Sequence, residues 1–153
     1  MHWLEHRIPP PIVGLLIGAA MWPIAKASPL VALSSQARWV IAALFVVAGL
    51  IITLLGGAAF RQAQTTVNPL KPESASTLVM VGVYRYTRNP MYVGFALVLI
   101  GWAVYLLAPL ALVGPALFAL FITRFQIMPE ERALSAKFGQ QFFEYQAQVR
   151  RWL

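Results

Sequence analysis

No cysteine occurs anywhere in the chain. Disulfides, thiolate nucleophiles and Cys-ligated zinc or iron–sulfur centres are therefore excluded. Charge is sparse too. Only 11% of the 153 residues are charged, against about 25% in an ordinary soluble domain. Acid is rarest, with five acidic residues against twelve lysines and arginines and a net charge of +7. The basic residues form no dense run interleaved with aromatics, so nucleic acid is a poor partner; anionic lipid suits the excess better. No Gly-x-Gly-x-x-Gly stands between a strand and a helix, and no strand–helix alternation exists, so any nucleotide-type cofactor needs another architecture. His2 and His6, with Glu5 between them, have helical spacing but sit at a terminus, and no metal site is expected.

What fills the chain is apolar: 59% of its residues. One domain over residues 1–153 is expected, an all-α integral membrane protein of about four transmembrane helices. The apolar stretches are residues 11–27, 39–59, 91–107 and 109–123. A span needs about 20 apolar residues, and in hydrocarbon only helices satisfy their own backbone. Ala108 and Pro109 leave almost no loop between the third and fourth stretches, which predicts a tight antiparallel hairpin. The first stretch opens on three prolines and closes on Trp22-Pro23 with no cleavage pattern, so it reads as a retained helix rather than a signal peptide.

The basic residues orient the chain. With the N-terminus inside, ten fall on the inner side (Arg7, Arg61, Lys71, Arg85, Arg88, Arg124, Arg132, Lys137, Arg150 and Arg151) and two outside, Lys26 and Arg38. The positive-inside rule then places both termini in the cytoplasm. Glu5, Glu73, Glu130, Glu131 and Glu144 fall on that side as well. So do the polar stretches, residues 61–90 and 128–153. In the second, Pro129 suits a first helical turn, with Glu130 and Glu131 near the helix N-terminus. Leu134, Phe138, Phe142 and Tyr145 recur at helical spacing, predicting an amphipathic cytoplasmic helix.

The densest polar chemistry is Arg88-Asn89-Pro90-Met91-Tyr92-Val93-Gly94, at the mouth of the third stretch. Tyr and Arg there serve as interfacial anchors. Equally, arginine forks and the free N–H groups of a helix start suit an anion. The hairpin brings Arg124 and Glu130-Glu131 to the same side. In this order and spacing, the two clusters resemble the isoprenylcysteine carboxyl methyltransferase family. Thr65-Thr66-Val67-Asn68-Pro69, Ser76-Thr77-Leu78-Val79, Gly82-Val83-Tyr84 and Phe142-Phe143-Glu144-Tyr145 extend the resemblance over residues 61–152.

The resemblance implies transfer of a methyl group from S-adenosylmethionine to a lipophilic acceptor, a carboxylate, thiol or amine, at the cytoplasmic face of a bacterial inner membrane. It implies cofactor contacts at Ser76, Thr77, Leu78, Val79, Tyr84, Asn89, Pro90, Met91, Tyr92 and Glu130. Arg124 and Glu130 would act in catalysis, and Arg124 and Gln126 would meet the substrate. Two residues depart from the eukaryotic pattern. Asn89 stands where those enzymes have histidine, and Gln126 where they have the arginine that meets the substrate carboxylate. A neutral amide there points to an acceptor other than prenylcysteine. A phospholipid or amine methyltransferase, a nicotinamide-dependent membrane reductase and a non-catalytic membrane module remain as alternatives.

Overall fold

The computed structural model describes residues 5, 7–29, 31–64 and 76–153. His2, His6, Lys71, Glu73 and residues 65–69 lie outside the described residues. Helix α1, Pro10–Lys26, opens on two prolines, whose absent N–H groups are no loss in a first turn. Helix α2, Ser35–Gln62, is capped by the Ser34 hydroxyl, which accepts from the Ala37 N–H at 3.2 Å. A single 3₁₀ turn, Gly82–Arg85, precedes helix α3, Pro90–Leu106. Leu107 ends α3 in the left-handed conformation, φ 55°, and its carbonyl accepts from the Val31 N–H at 2.9 Å.

After Ala108 the chain turns back at once. A 3₁₀ turn, Pro109–Leu112, leads into helix α4, Val113–Ile122. A π-helical turn, Thr123–Ile127, follows, and then helix α5, Met128–Phe138. Together these make an unbroken helical run of 30 residues, Pro109–Phe138. The sequence reading ended the fourth stretch at residue 123 and started a separate helix near 128. The run continues because a proline ring clashes with the carbonyl four residues earlier, and here the wide π turn lies immediately before Pro129. The expected single amphipathic C-terminal helix is two pieces: Gly139, at φ 51°, breaks it, and helix α6 is Gln140–Gln148.

Helix α3 is the centre. Helix α2 packs along one side of it, while α1 and α4 pack on it and on each other. The main core joins Val13 and Met21 of α1, Tyr92, Leu99 and Ala103 of α3, and Phe118 and Ile122 of α4. The outside of the bundle is also apolar: Leu15, Leu16, Leu44, Leu54 and Leu120 are each 63–73% exposed. Leucines facing outward in such numbers on a chain this poor in charge are suited to lipid rather than water. Ser35–Gln62 and Pro109–Phe138 are long and apolar enough to cross a membrane, and Pro10–Lys26 and Pro90–Leu106 are shorter apolar helices.

Close approach of α2 and α3 depends on glycines. A β-carbon at Gly49 would stand 2.5 Å from the Gly94 carbonyl oxygen, and one at Gly94 would collide with the Thr53 hydroxyl and the Gly49 carbonyl. Small residues at a helix contact are how membrane helices gain packing. Gly94→Ala is therefore expected to force the pair apart at a cost of about 1–3 kcal/mol, the range for overpacking. Gly57→Ala, with nothing within 4 Å of the new methyl, should be neutral or mildly stabilising. The unfolding midpoints of the two variants in detergent check this; equal midpoints would refute it.

Candidate active site

The polar stretch at the start of α3 is stitched to the C-terminal tail. The Arg88 backbone N–H donates to the Arg150 carbonyl at 3.0 Å. The Arg88 guanidinium donates to the Gln146 and Val149 carbonyls at 3.1 and 3.0 Å and to Glu131 at 2.8 Å. Arg151 grips the same Glu131 with two bonds, at 3.0 and 2.6 Å. The Asn89 amide donates to the Arg151 carbonyl at 2.9 Å, and the Thr87 hydroxyl to the same oxygen at 3.3 Å. Trp152 closes the seam by donating to the Thr123 hydroxyl at 3.0 Å. Hydrogen bonding to Glu131 raises the Arg151 pKa further above its ordinary value.

Beneath this seam lies a group of phenols and one carboxylate. The π turn sets the direction of α5 so that Glu130 reaches Tyr92 of α3, whose hydroxyl donates to Glu130 Oε1 at 3.0 Å. Tyr84 is buried beside Phe60, ring centres 5.4 Å apart. Its carbonyl accepts from the Tyr145 hydroxyl at 2.7 Å. Burial pushes the Tyr84 phenol well above its usual range, and Tyr145 and the Glu130 carboxylate add to the push. Burial raises Tyr145 likewise, with Arg88 opposing. Both stay protonated as donors. Among the described residues no arginine or lysine is ion-paired with Glu130; Arg88 and Arg151 go to Glu131, and Arg124 and Arg132 to Glu5.

The residues expected at a cofactor are thus placed unequally. Tyr84, Tyr92 and Glu130 come together, with Val79 in the small cluster around Tyr84. Leu78 is half-buried, and Ser76 and Thr77 are exposed. Asn89 is turned to the tail. Pro90 is buried and Met91 lies under Gly56 of α2. The Tyr92 and Val93 N–H groups bond the Asn89 carbonyl at 3.0 and 3.1 Å, so the start of α3 offers less to an anion than the sequence suggested. Gln126 is fully buried and donates to the Ile8 carbonyl at 2.8 Å. Arg124 pairs with Glu5 at 3.2 Å. A cleft of about 410 Å³ is lined by Met128, Glu131, Arg132, Ser135, Gln146 and Arg151, on the seam side and without Tyr84, Tyr92 or Glu130.

Sequence reasoning gave Glu131 no role apart from Glu130 and did not single out Arg132 or Arg151. One signal was present: adjacent glutamates on a helix point about 100° apart, so Glu130 and Glu131 could not share one role.

The phospholipid methyltransferase family model matches residues 37–141, and the chain belongs to that family. Over 76 residues, half of this chain and 27% of the relative, it is 38% identical to the protein-S-isoprenylcysteine O-methyltransferase of Tribolium castaneum. The enzyme of the same name from Saccharomyces cerevisiae is 38% identical over 82 residues, 52% of this chain and 33% of the relative. An uncharacterized protein of Haemophilus influenzae is 43% identical over 63 residues, 41% of this chain and the whole of that protein. The chain therefore spans about a quarter to a third of the methyltransferases it matches. The resemblance read from the motifs holds, and membership of a methyltransferase family implies S-adenosylmethionine as the general methyl donor.

Proposed function

We propose that this chain is an S-adenosylmethionine-dependent methyltransferase that modifies a lipophilic small molecule at the cytoplasmic face of a membrane. Four helices, α1, α2, α3 and the run beginning at Pro109, would span the bilayer with both termini inside, the arrangement favoured by the ten-to-two division of basic residues. The observation that carries the reading is Glu130: a partly buried carboxylate, bonded by Tyr92 and paired with no cation among the described residues. Such a carboxylate is disfavoured unless a positive group meets it, and S-adenosylmethionine carries two, an ammonium and a sulfonium. The donor set therefore fits the cofactor.

When bound, S-adenosylmethionine would supply an already activated methyl group. The protein's task is alignment and exclusion of water. Glu130 would hold the cationic portion of the cofactor, with Tyr92 fixing the carboxylate's direction. Tyr84, kept protonated by burial, would donate a hydrogen bond nearby. Val79 and Leu78 would supply apolar contact, with Ser76 and Thr77 at the mouth. The Arg88–Glu131–Arg151 seam holds α3, α5 and the tail together. No strong base is needed for a carboxylate or thiolate acceptor, and an amine need only be deprotonated. The family's description keeps a phospholipid headgroup open as the acceptor.

Calorimetric titration of the detergent-purified full chain with S-adenosylhomocysteine is the direct test. Saturable binding at one site is expected, with NADPH giving none; the reverse result would make the protein a reductase. A reporter fused at Leu153 that is active only on the outer side of the membrane would overturn the orientation.

A further inference from the structure

Near the N-terminus, Glu5 and Ile8 are bonded to the helical run Pro109–Phe138. Glu5 is a two-pronged ligand: Arg124 Nη1 donates to Oε1 at 3.2 Å, while Arg132 Nη2 donates to Oε2. Three residues on, the Ile8 carbonyl is held by the buried Gln126 amide at 2.8 Å. The arginines lie eight positions apart, with the π turn and Pro129 between them, and still meet on one carboxylate. Their side chains are 42% and 53% exposed, whereas Glu5 is 12% exposed. The cations reach solvent; the anion is sheltered between them. Pairs this exposed bind weakly enough to exchange.

We propose that Arg124 and Arg132 dock the anionic head of the methyl acceptor, a carboxylate or phosphate on a lipophilic body, and that Glu5 is a built-in competitor for that dock. The proposal rests on the methyltransferase reading above. Paired arginines favour carboxylate and phosphate over neutral heads because charge-assisted forks are the stronger bonds. Arg132 also lines the cleft of about 410 Å³, whose Met128 wall is 38% exposed and apolar. Arg132 stands two residues from Glu130 on α5, about 200° round the helix, so the head would be held on the cleft face and the group to be methylated would lie elsewhere on the lipophilic body. The neutral Gln126 does not argue against an anionic acceptor in this arrangement: its amide holds the strap, and the charge comes from its neighbours.

A strap closed nine-tenths of the time lowers apparent affinity about tenfold, which sets the scale of the test. The full chain in a neutral detergent is titrated with decanoate, decyl phosphate and the uncharged decanamide. Glu5→Gln is expected to tighten decanoate or decyl phosphate about tenfold and to leave decanamide unchanged. Adding Arg132→Gln to that variant should abolish the gain. Whichever of the two anions gains more identifies the head. In the wild-type protein, either anion should speed tryptic cleavage after the exposed Arg7, and decanamide should not. Unchanged anion affinity in Glu5→Gln, or equal tightening for decanamide, would show that the Glu5 pairs are only structural. S-Adenosylhomocysteine binding is measured in parallel: its loss in the wild-type protein overturns the methyltransferase reading, whereas its retention with no Glu5 effect overturns the strap alone.

Discussion

Glu131→Ala is expected to lower stability by about 3–5 kcal/mol, the penalty for removing one partner of a buried ion pair. The structural reason is specific. Glu131 and Arg88 are 13% and 11% exposed, and Arg151 bonds the same carboxylate twice. Without Glu131, the Arg88 guanidinium keeps only its two carbonyl acceptors, from Gln146 and Val149. That leaves a sheltered cation uncompensated. The unfolding midpoint in detergent should fall on the order of 10 °C for a chain this size. Arg88→Ala should do comparable damage, and the double variant less than the sum, because the residues share one network. Glu144→Ala provides the contrast: Glu144 is exposed and, among the described residues, accepts from Gln140 alone, at 3.2 Å, and should change little. A midpoint for Glu131→Ala within a degree of wild type would mean that the seam does not hold α3 to the tail.

That seam also marks where sequence reading stopped. Apolar length locates the four helical stretches, since each is a local property. Prolines locate two helix starts, Pro10 and Pro90, because a missing N–H is harmless there. The same rule set Pro129 in the first turn of a separate helix, since nothing local reveals that a π turn lets the run from Pro109 continue into α5. Gly139 is a break only in hindsight: helical spacing from Leu134 to Tyr145 persists across it, and its positive φ is not written in the periodicity. The motif around Tyr92 holds residues that the structure sends to different partners. It could not distinguish Tyr92, which faces Glu130, from Asn89, which turns to the tail. Those choices are made by contacts between residues 38 and 62 positions apart. Pairings such as Glu5 with Arg124, 119 positions apart, lie beyond any motif.

Glu130→Ala is expected to weaken S-adenosylhomocysteine binding roughly ten- to a hundredfold, the range for losing a hydrogen bond to a charged group. The same substitution should leave stability unchanged or raised, opposite to Glu131→Ala one residue along. The two glutamates differ in what they meet. Glu131 is neutralised by two arginines, whereas Glu130 has the Tyr92 hydroxyl and no cation among the described residues. An uncompensated, partly buried carboxylate opposes folding; removing it relieves that cost while deleting the group proposed to hold the cofactor's positive end. Stability set aside for binding in this way is the usual signature of a functional residue. Tyr92→Phe separates orientation from charge: it removes the hydroxyl that directs the carboxylate but keeps the ring in the core, so a smaller loss of affinity is expected. Calorimetry and thermal unfolding on the same preparations read both quantities. If Glu130→Ala and Tyr92→Phe both bind S-adenosylhomocysteine as wild type does, the cofactor does not lie against this carboxylate. If instead Glu130→Ala unfolds as readily as Glu131→Ala, Glu130 belongs to the framework rather than to the site.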